Sequence, residues 1–273
     1  MTYKNLVDKL NALEVNEPEV EALMILGHFF CADRSKTLLF PDFDYDDALI
    51  EPILKRRSTG EPIQYIIGRV FFLNTEIRVS PDCLIPRYDT EILCEYLIDK
   101  LPQSGHFLEL CTGSGCIPIA VLSHRGDLTC EAMELIPKTA ALAKENRELN
   151  RLSPKRMSVT VGDALTIDPE SRAGCYDAIV SNPPYIRTDV IPHLSKEVRF
   201  EPEVALDGGS DGLIFYRKFI STYSSMLKPG GFFAFEIGYD QADDIKKLCD
   251  IHGFSLEILK AYSKNARVAI IHP

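Results

Sequence analysis

The sequence predicts an α/β protein: a mostly parallel sheet wrapped by helices and ending in an antiparallel strand, preceded by a small helical bundle and a β-hairpin linker. Three observations carry that prediction. From about residue 87 onward, short apolar runs alternate with helix-length stretches, as strands and crossover helices do. Over residues 1–62 the apolar side chains recur at helical spacing. Between these regions, two β-rich runs flank Asn74 and read as a hairpin.

Taken in order, Leu6, Val7, Leu10 and Leu13 recur along a first helix. A second starts at Glu17-Pro18, with proline tolerated in the first turn, and carries Val20, Leu23, Met24, Leu26 and Phe30. The acidic 42–47 stretch reads as a turn, and a third long helix runs through Leu49, Ile50, Ile53 and Leu54. Gly60-Glu61-Pro62 closes this 1–62 domain, expected to serve recognition or support. Residues 63–86 form the linker, with Val70-Phe71-Phe72-Leu73 turning at Asn74 into Glu76-Ile77-Arg78-Val79. The third domain, 87–273, opens with helix 90–100, strand 106–110, a glycine turn and a helix through 119–122. Strand 128–133, helix 137–149, strands 158–161 and 176–181, and helix 213–227 follow. Strand 231–237, helix 241–252 and strands 255–259 and 267–271 complete it. The last link is too short for a crossover helix, so its strands pair antiparallel.

Composition narrows the function classes. No run approaches the roughly 20 apolar residues of a membrane helix. Charges interrupt the first 21 positions, where a signal peptide would be apolar. A cytoplasmic protein without a membrane partner is expected. The eight cysteines are scattered, with no CxxC pair and no histidine cluster, so no metal site is expected. Net charge is −10, and Lys55-Arg56-Arg57 is the longest basic cluster, suited to a solvated helix end. Nucleic-acid binding rests on basic phosphate contacts, so this balance weighs against it.

Chemistry concentrates at the ends of the expected strands. Glu109-Leu110-Cys111-Thr112-Gly113-Ser114-Gly115-Cys116 follows one strand and opens a helix. Gly113 and Gly115 let the backbone turn sharply and approach a ligand closely. A tight turn with no ligand uses glycine in the same way. The spacing separates ligand classes: Pro118 stands where a dinucleotide fingerprint has its third glycine, and no phosphate-binding Lys-Ser/Thr follows. An acid at 109 suits a ligand with a cationic amino group, as in S-adenosylmethionine. Glu134, ending the next strand, is placed to accept from ribose hydroxyls. In Gly162-Asp163-Ala164, Asp163 is placed to accept from an adenine amine and Ala164 to line the ring. Each acid alone also reads as a solvated strand end; together they describe one adenosyl pocket.

After the fourth strand comes Asn182-Pro183-Pro184-Tyr185. Two prolines fix φ and remove two backbone donors, leaving a stiff loop that presents carbonyls. An amide or aniline-like nitrogen is a poor nucleophile because its lone pair is delocalised. The Asn182 side-chain oxygen and the Pro183 carbonyl can hold its two N–H groups, while Tyr185 packs on the planar group. This is catalysis by positioning and desolvated hydrogen bonding, with no strong base.

With these residues in place, the chain resembles the HemK/PrmC family, the release factor glutamine N5-methyltransferases. The resemblance runs through Gly60-Glu-Pro-Ile-Gln-Tyr65 with Gly68, Leu84-Ile-Pro-Arg-Tyr-Asp-Thr-Glu91, the glycine loop and the 182–185 tetrad. It continues through Glu201-Pro202, Ala205-Leu206 and Glu236-Ile-Gly238. It implies a Rossmann-like class I methyltransferase sheet and S-adenosylmethionine as methyl donor, with S-adenosylhomocysteine as product. The acceptor it implies is the glutamine of the Gly-Gly-Gln motif in bacterial class I release factors. Cys111 to Gly115, Glu134, Ala164 and Asn182 would contact the cofactor, Asn182 to Tyr185 would receive the glutamine, and Arg87 would help build its pocket. Two positions depart from the pattern: Glu109-Leu110-Cys111 replaces Asp-x-Gly, and Glu134 stands where Asp is commoner. The Cβ of Cys111 is expected to weaken cofactor binding without abolishing activity. A ribosomal-protein glutamine as acceptor, DNA adenine methylation, and a non-catalytic adenosyl-binding module remain the alternatives; the intact tetrad argues against the last.

Overall fold

The computed structural model describes residues 1–261 and 264–273. The chain divides into two compact units, Met1–Arg69 with Ser195–Phe200, and Val70–Leu194 with Glu201–Pro273.

The first unit holds α1 (Tyr3–Ala12), α2 (Pro18–Phe30), α3 (Arg34–Leu39), α4 (Asp47–Arg57) and α5 (Ile63–Ile67). Thr2, Asp33 and Asp46 cap α1, α3 and α4, each accepting from a backbone N–H of the first turn. The apolar stripes foreseen for α1, α2 and α4 meet in one core around Leu6, Leu10, Ile25, Leu26, Ile50 and Leu54. Arg57 is buried within this unit, where its guanidinium pairs with Glu21 at 2.8 Å and with Glu197. The sequence does not announce α3: it has six residues, and Leu38 and Leu39 are exposed. Residues 63–67, placed in the hairpin linker, are helical, and Gly68, in a left-handed conformation, ends that turn.

The second unit begins at Val70, within β1 (Arg69–Phe72), which forms the foreseen hairpin with β2 (Thr75–Arg78). Then come α6 (Glu91–Lys100), β3 (His106–Leu110), α7 (Cys116–His124), β4 (Thr129–Glu134), α8 (Pro137–Leu149), β5 (Met157–Val161) and β6 (Tyr176–Ser181). The unit ends with α9 (Ile214–Thr222), β7 (Leu227–Glu236), α10 (Ala242–His252), β8 (Ser255–Lys260) and β9 (Ala266–His272). Among the described residues, seven strands form one sheet in the order β5-β4-β3-β6-β7-β9-β8. The first five run parallel; β9 pairs antiparallel with β7, and β8 with β9. The architecture is the expected α/β sheet with its antiparallel end.

Two boundaries differ from the expectation. The helix placed at 213–227 stops at Thr222, and β7 begins at Leu227 rather than 231. Lys228-Pro229-Gly230 reads as a break, yet Leu227 pairs with Tyr176 ahead of an irregularity that restores the ladder at Ala178 and Phe232. Helix α7 is apolar all round and buried from Cys116 to Leu122, as an internal helix should be.

Strand order reverses between β3 and β6, because the chain goes outward from β3 through β4 to β5 and then returns to β3's other side. Such a switch point opens a crevice at the carboxyl ends of the strands. Register aligns those ends: Leu110 lies beside Met133 and Ser181, and Glu134 beside Val161. Among the described residues, no helix is long and apolar enough to cross a membrane.

Candidate active site

The loop after β3 is folded by three left-handed residues in five positions, Cys111 (φ +60°), Gly113 (+56°) and Gly115 (+80°). The two glycines have different reasons. A Cβ on Gly113 would meet nothing within 4 Å, so its freedom serves the backbone and leaves open space above it. A Cβ on Gly115 would meet Met157 Cε at 3.2 Å and Ala143 Cβ at 3.4 Å, so its absence lets the start of α7 pack on β5 and α8.

Acids stand at three successive strand ends. Glu109 is only 1% exposed and accepts the Thr112 hydroxyl. Burial holds its carboxyl well above the usual carboxylate range, despite that bond. Glu134 accepts from Gly113 N on Oε2 at 2.9 Å and from Ile136 N on Oε1 at 3.0 Å; each oxygen keeps a second lone pair. Asp163 Oδ1 accepts from Leu165 N at 2.8 Å, and the Tyr223 hydroxyl fixes the Ala164 carbonyl at 2.7 Å. Ser181 Oγ donates to Leu110 O at 2.7 Å, locking the end of β6 to the end of β3 just before Asn182.

These groups face one cavity with an empty volume of about 1100 Å³, its open mouth included. Glu109, Cys111, Thr112, Gly113, Ser114, Glu134, Asp163, Ala164, Asn182 and Pro184 all line it. Gly115, Pro183, Tyr185 and Arg87 lie outside the lining. Pro183 is buried. Tyr185 packs against the sheet core and donates its hydroxyl to Glu236 Oε1 at 3.2 Å. Arg87 pairs with the buried carboxylate of Glu201, whose other oxygen accepts from Ile85 N at 3.1 Å. That pair fastens 84–87 to 201–205, and both strips contribute lining residues.

Several residues of the site were given no role by the sequence. Thr90 lines the cavity and donates to Glu236 at 2.5 Å, although 146 positions separate them. Gln241 donates to Tyr185 O at 3.0 Å and to Gly212 O at 3.1 Å. Phe215 joins Leu135, Ile136 and Leu165 as apolar lining. Among the described residues, no group of three or more His, Cys, Asp or Glu is placed to hold a metal ion. Three acids beside an apolar wall and an open glycine backbone suit a ligand with a cationic head, a diol and a flat apolar ring.

Residues 3–68 match the family model of the PrmC N-terminal domain, and residues 88–198 that of the methyltransferase small domain. The chain is similar to the release factor glutamine methyltransferase of Clostridium acetobutylicum, 36% identical over 257 residues, covering 92% of this chain and 90% of that protein. It is similar as well to the release factor glutamine methyltransferase of Thermodesulfovibrio yellowstonii, 37% identical over 259 residues, covering 92% and 91%. A methyltransferase structure from Pyrococcus furiosus matches with a TM-score of 0.53 at 20% identity, over 71% of this chain and 86% of that one. That last likeness concerns the fold alone.

Proposed function

Because the chain belongs to the release factor glutamine methyltransferase family, we propose that it methylates the side-chain amide nitrogen of the glutamine in the Gly-Gly-Gln motif of bacterial class I release factors, with S-adenosylmethionine as donor. The observation that carries this reading is the placement of Asn182 and Pro184 in the same cavity as Glu109, Glu134 and Asp163. The donor set fits an adenosyl cofactor. Glu109 accepts its ammonium group, Glu134 its ribose hydroxyls through the free lone pairs, and Asp163 its adenine amine. Thr112, Gly113 and Ser114 follow its backbone closely, and Ala164 borders the ring. The cofactor supplies a methyl group on a sulfonium.

The chain's task is then to present a weak nucleophile. Asn182 Oδ1 and the Pro183 carbonyl accept the two amide N–H groups of the glutamine. The nitrogen's lone pair is left facing the methyl group, and the proton released on transfer passes to water. Tyr185, tied to Glu236, keeps the loop from yielding. Arg87 and Glu201 hold the 84–87 strip as one wall of the glutamine pocket. Positioning of this kind is worth several orders of magnitude in rate without a general base.

Incubation with purified release factor, a DNA duplex and labelled S-adenosylmethionine, followed by peptide mapping, tests the reading. Label is expected on the glutamine of Gly-Gly-Gln; label in DNA alone overturns it. Asn182→Ala is expected to lower turnover by at least about 100-fold with the fold retained, and parental turnover in that variant would remove the mechanism.

A further inference from the structure

The cavity explains why an asparagine stands at 182 but not why its amide should face the right way. An Asn side chain offers an acceptor on one side and a donor on the other, and a half-turn about its last bond exchanges them. With Nδ2 toward the glutamine, the site would repel the N–H groups it has to hold.

Hydrogen-bond polarity behind the cavity removes that ambiguity. Arg267 Nη1 donates to the Tyr185 hydroxyl at 3.5 Å, and a guanidinium can only donate. Tyr185 passes its own hydrogen to Glu236 Oε1 at 3.2 Å, and Thr90 gives its hydrogen to Glu236 Oε2 at 2.5 Å. In its ionised form Glu236, 1% exposed, thus takes a hydrogen on each oxygen. Thr90 Oγ1 has spent its only hydrogen and offers lone pairs alone to its other neighbour, Nδ2 of Asn182 at 3.5 Å. Asn182 Oδ1 accepts from no protein group among the described residues, and the residue lines the cavity.

We infer that Thr90 and Glu236 are positioning residues that set the orientation of the Asn182 amide, holding Oδ1 toward the substrate nitrogen. The inference rests on the proposed amide methylation and deepens it. Thr90 acts through Asn182, and Glu236 acts by obliging Thr90 to donate away from it. The long Asn182–Thr90 contact is of the kind that tightens when a substrate fills the site.

Thr90→Val removes the hydroxyl at nearly constant shape, and Thr90→Ser keeps it. Thr90→Val is expected to lower kcat roughly 10- to 100-fold, with KM for the release factor and affinity for S-adenosylmethionine near parental, and Thr90→Ser to recover most of the loss. Parental kcat in Thr90→Val overturns the inference, as does a loss that Ser does not rescue. Should the valine variant not fold, Glu236→Gln decides: lowered kcat with retained cofactor affinity supports the inference, and parental kcat ends it. A second readout needs no turnover. The side-chain NH2 resonances of Asn182, assigned by their loss in Asn182→Ala, are expected to exchange with solvent slowly in the parent and faster in Thr90→Val; equal rates overturn the inference. A parent that leaves the release factor unmethylated overturns the proposed function instead, and the exchange measurement still tests the amide orientation.

Discussion

Cys111 shows how much one residue can conceal in a sequence. Its side chain stands where the family pattern has glycine, which the sequence presents as a steric matter only. The structure adds that its backbone is left-handed, φ +60°, a conformation that costs a non-glycine residue about 1–2 kcal/mol. The side chain offsets part of that cost by packing against the sheet core. Burial also pushes the thiol pKa far up, so it is a poor nucleophile. Cys111→Gly relieves the strain but loses the packing and adds chain entropy worth roughly 0.5–1 kcal/mol. Melting temperature is therefore expected to stay nearly constant while S-adenosylmethionine binds more tightly by calorimetry; weaker binding would contradict the steric argument. The acids at 109, 134 and 163 were legible because each ends an apolar run. The roles of Thr90 and Glu236 were not: both sit in segments that carry the family resemblance, but only folding reveals their bond.

The loop carrying Asn182 to Tyr185 is stiffened from inside by its prolines and from outside by two glycines. A Cβ on Gly208 would lie 2.8 Å from Pro184 O, and one on Gly212 2.4 Å from Tyr185 O and 2.7 Å from Gln241 Nε2. Gly212 is also left-handed, φ +74°, so any side chain there adds strain to the clash. Gly212→Ala is expected to destabilise the chain by roughly 2 kcal/mol. It is also expected to reduce kcat far more than cofactor affinity, because it displaces the Asn182 end of the cavity, the proposed glutamine site, and leaves the acids in place. A melting curve with a cofactor titration checks both; unchanged kcat would mean that the loop does not rely on this packing. At this scale most strands and helices were readable, since each buries a face and its periodicity records that burial. Three failures have separate causes: α3 exposes its leucines, β7 starts across a Pro-Gly pair, and α5 is a single buried turn too short to show a helical period.

Across the whole molecule, a chain of net charge −10 also buries several acids. Burial raises the pKa of Glu109 and Glu236, and it raises Glu201 and Glu21 against the opposing pull of Arg87 and Arg57. Such an acid keeps its proton in the folded state after the unfolded chain has lost it. Its contribution to stability is therefore full below the ordinary 4.5 and falls as pH rises through the folded value. Self-repulsion among surface carboxylates acts in the same direction. Glu131 opposes the trend: burial works upward, but the hydrogen bonds from Arg172 and Tyr176 outweigh it and lower its pKa. Its contribution is lost only as pH falls below the ordinary range. Stability of the ligand-free protein is accordingly expected to decline as pH rises above the ordinary 4.5, and a melting temperature that is flat or rising there would refute the account. Glu109→Gln isolates one carboxyl, because the amide keeps the shape and cannot ionise. Its melting temperature should approach the parent's near the acid end and exceed it increasingly toward the alkaline end. Adding S-adenosylmethionine should reverse that advantage, since a neutral amide has no charge to offer the cofactor's ammonium group; equal ligand-induced shifts in the two proteins would remove Glu109 from the proposed cofactor site.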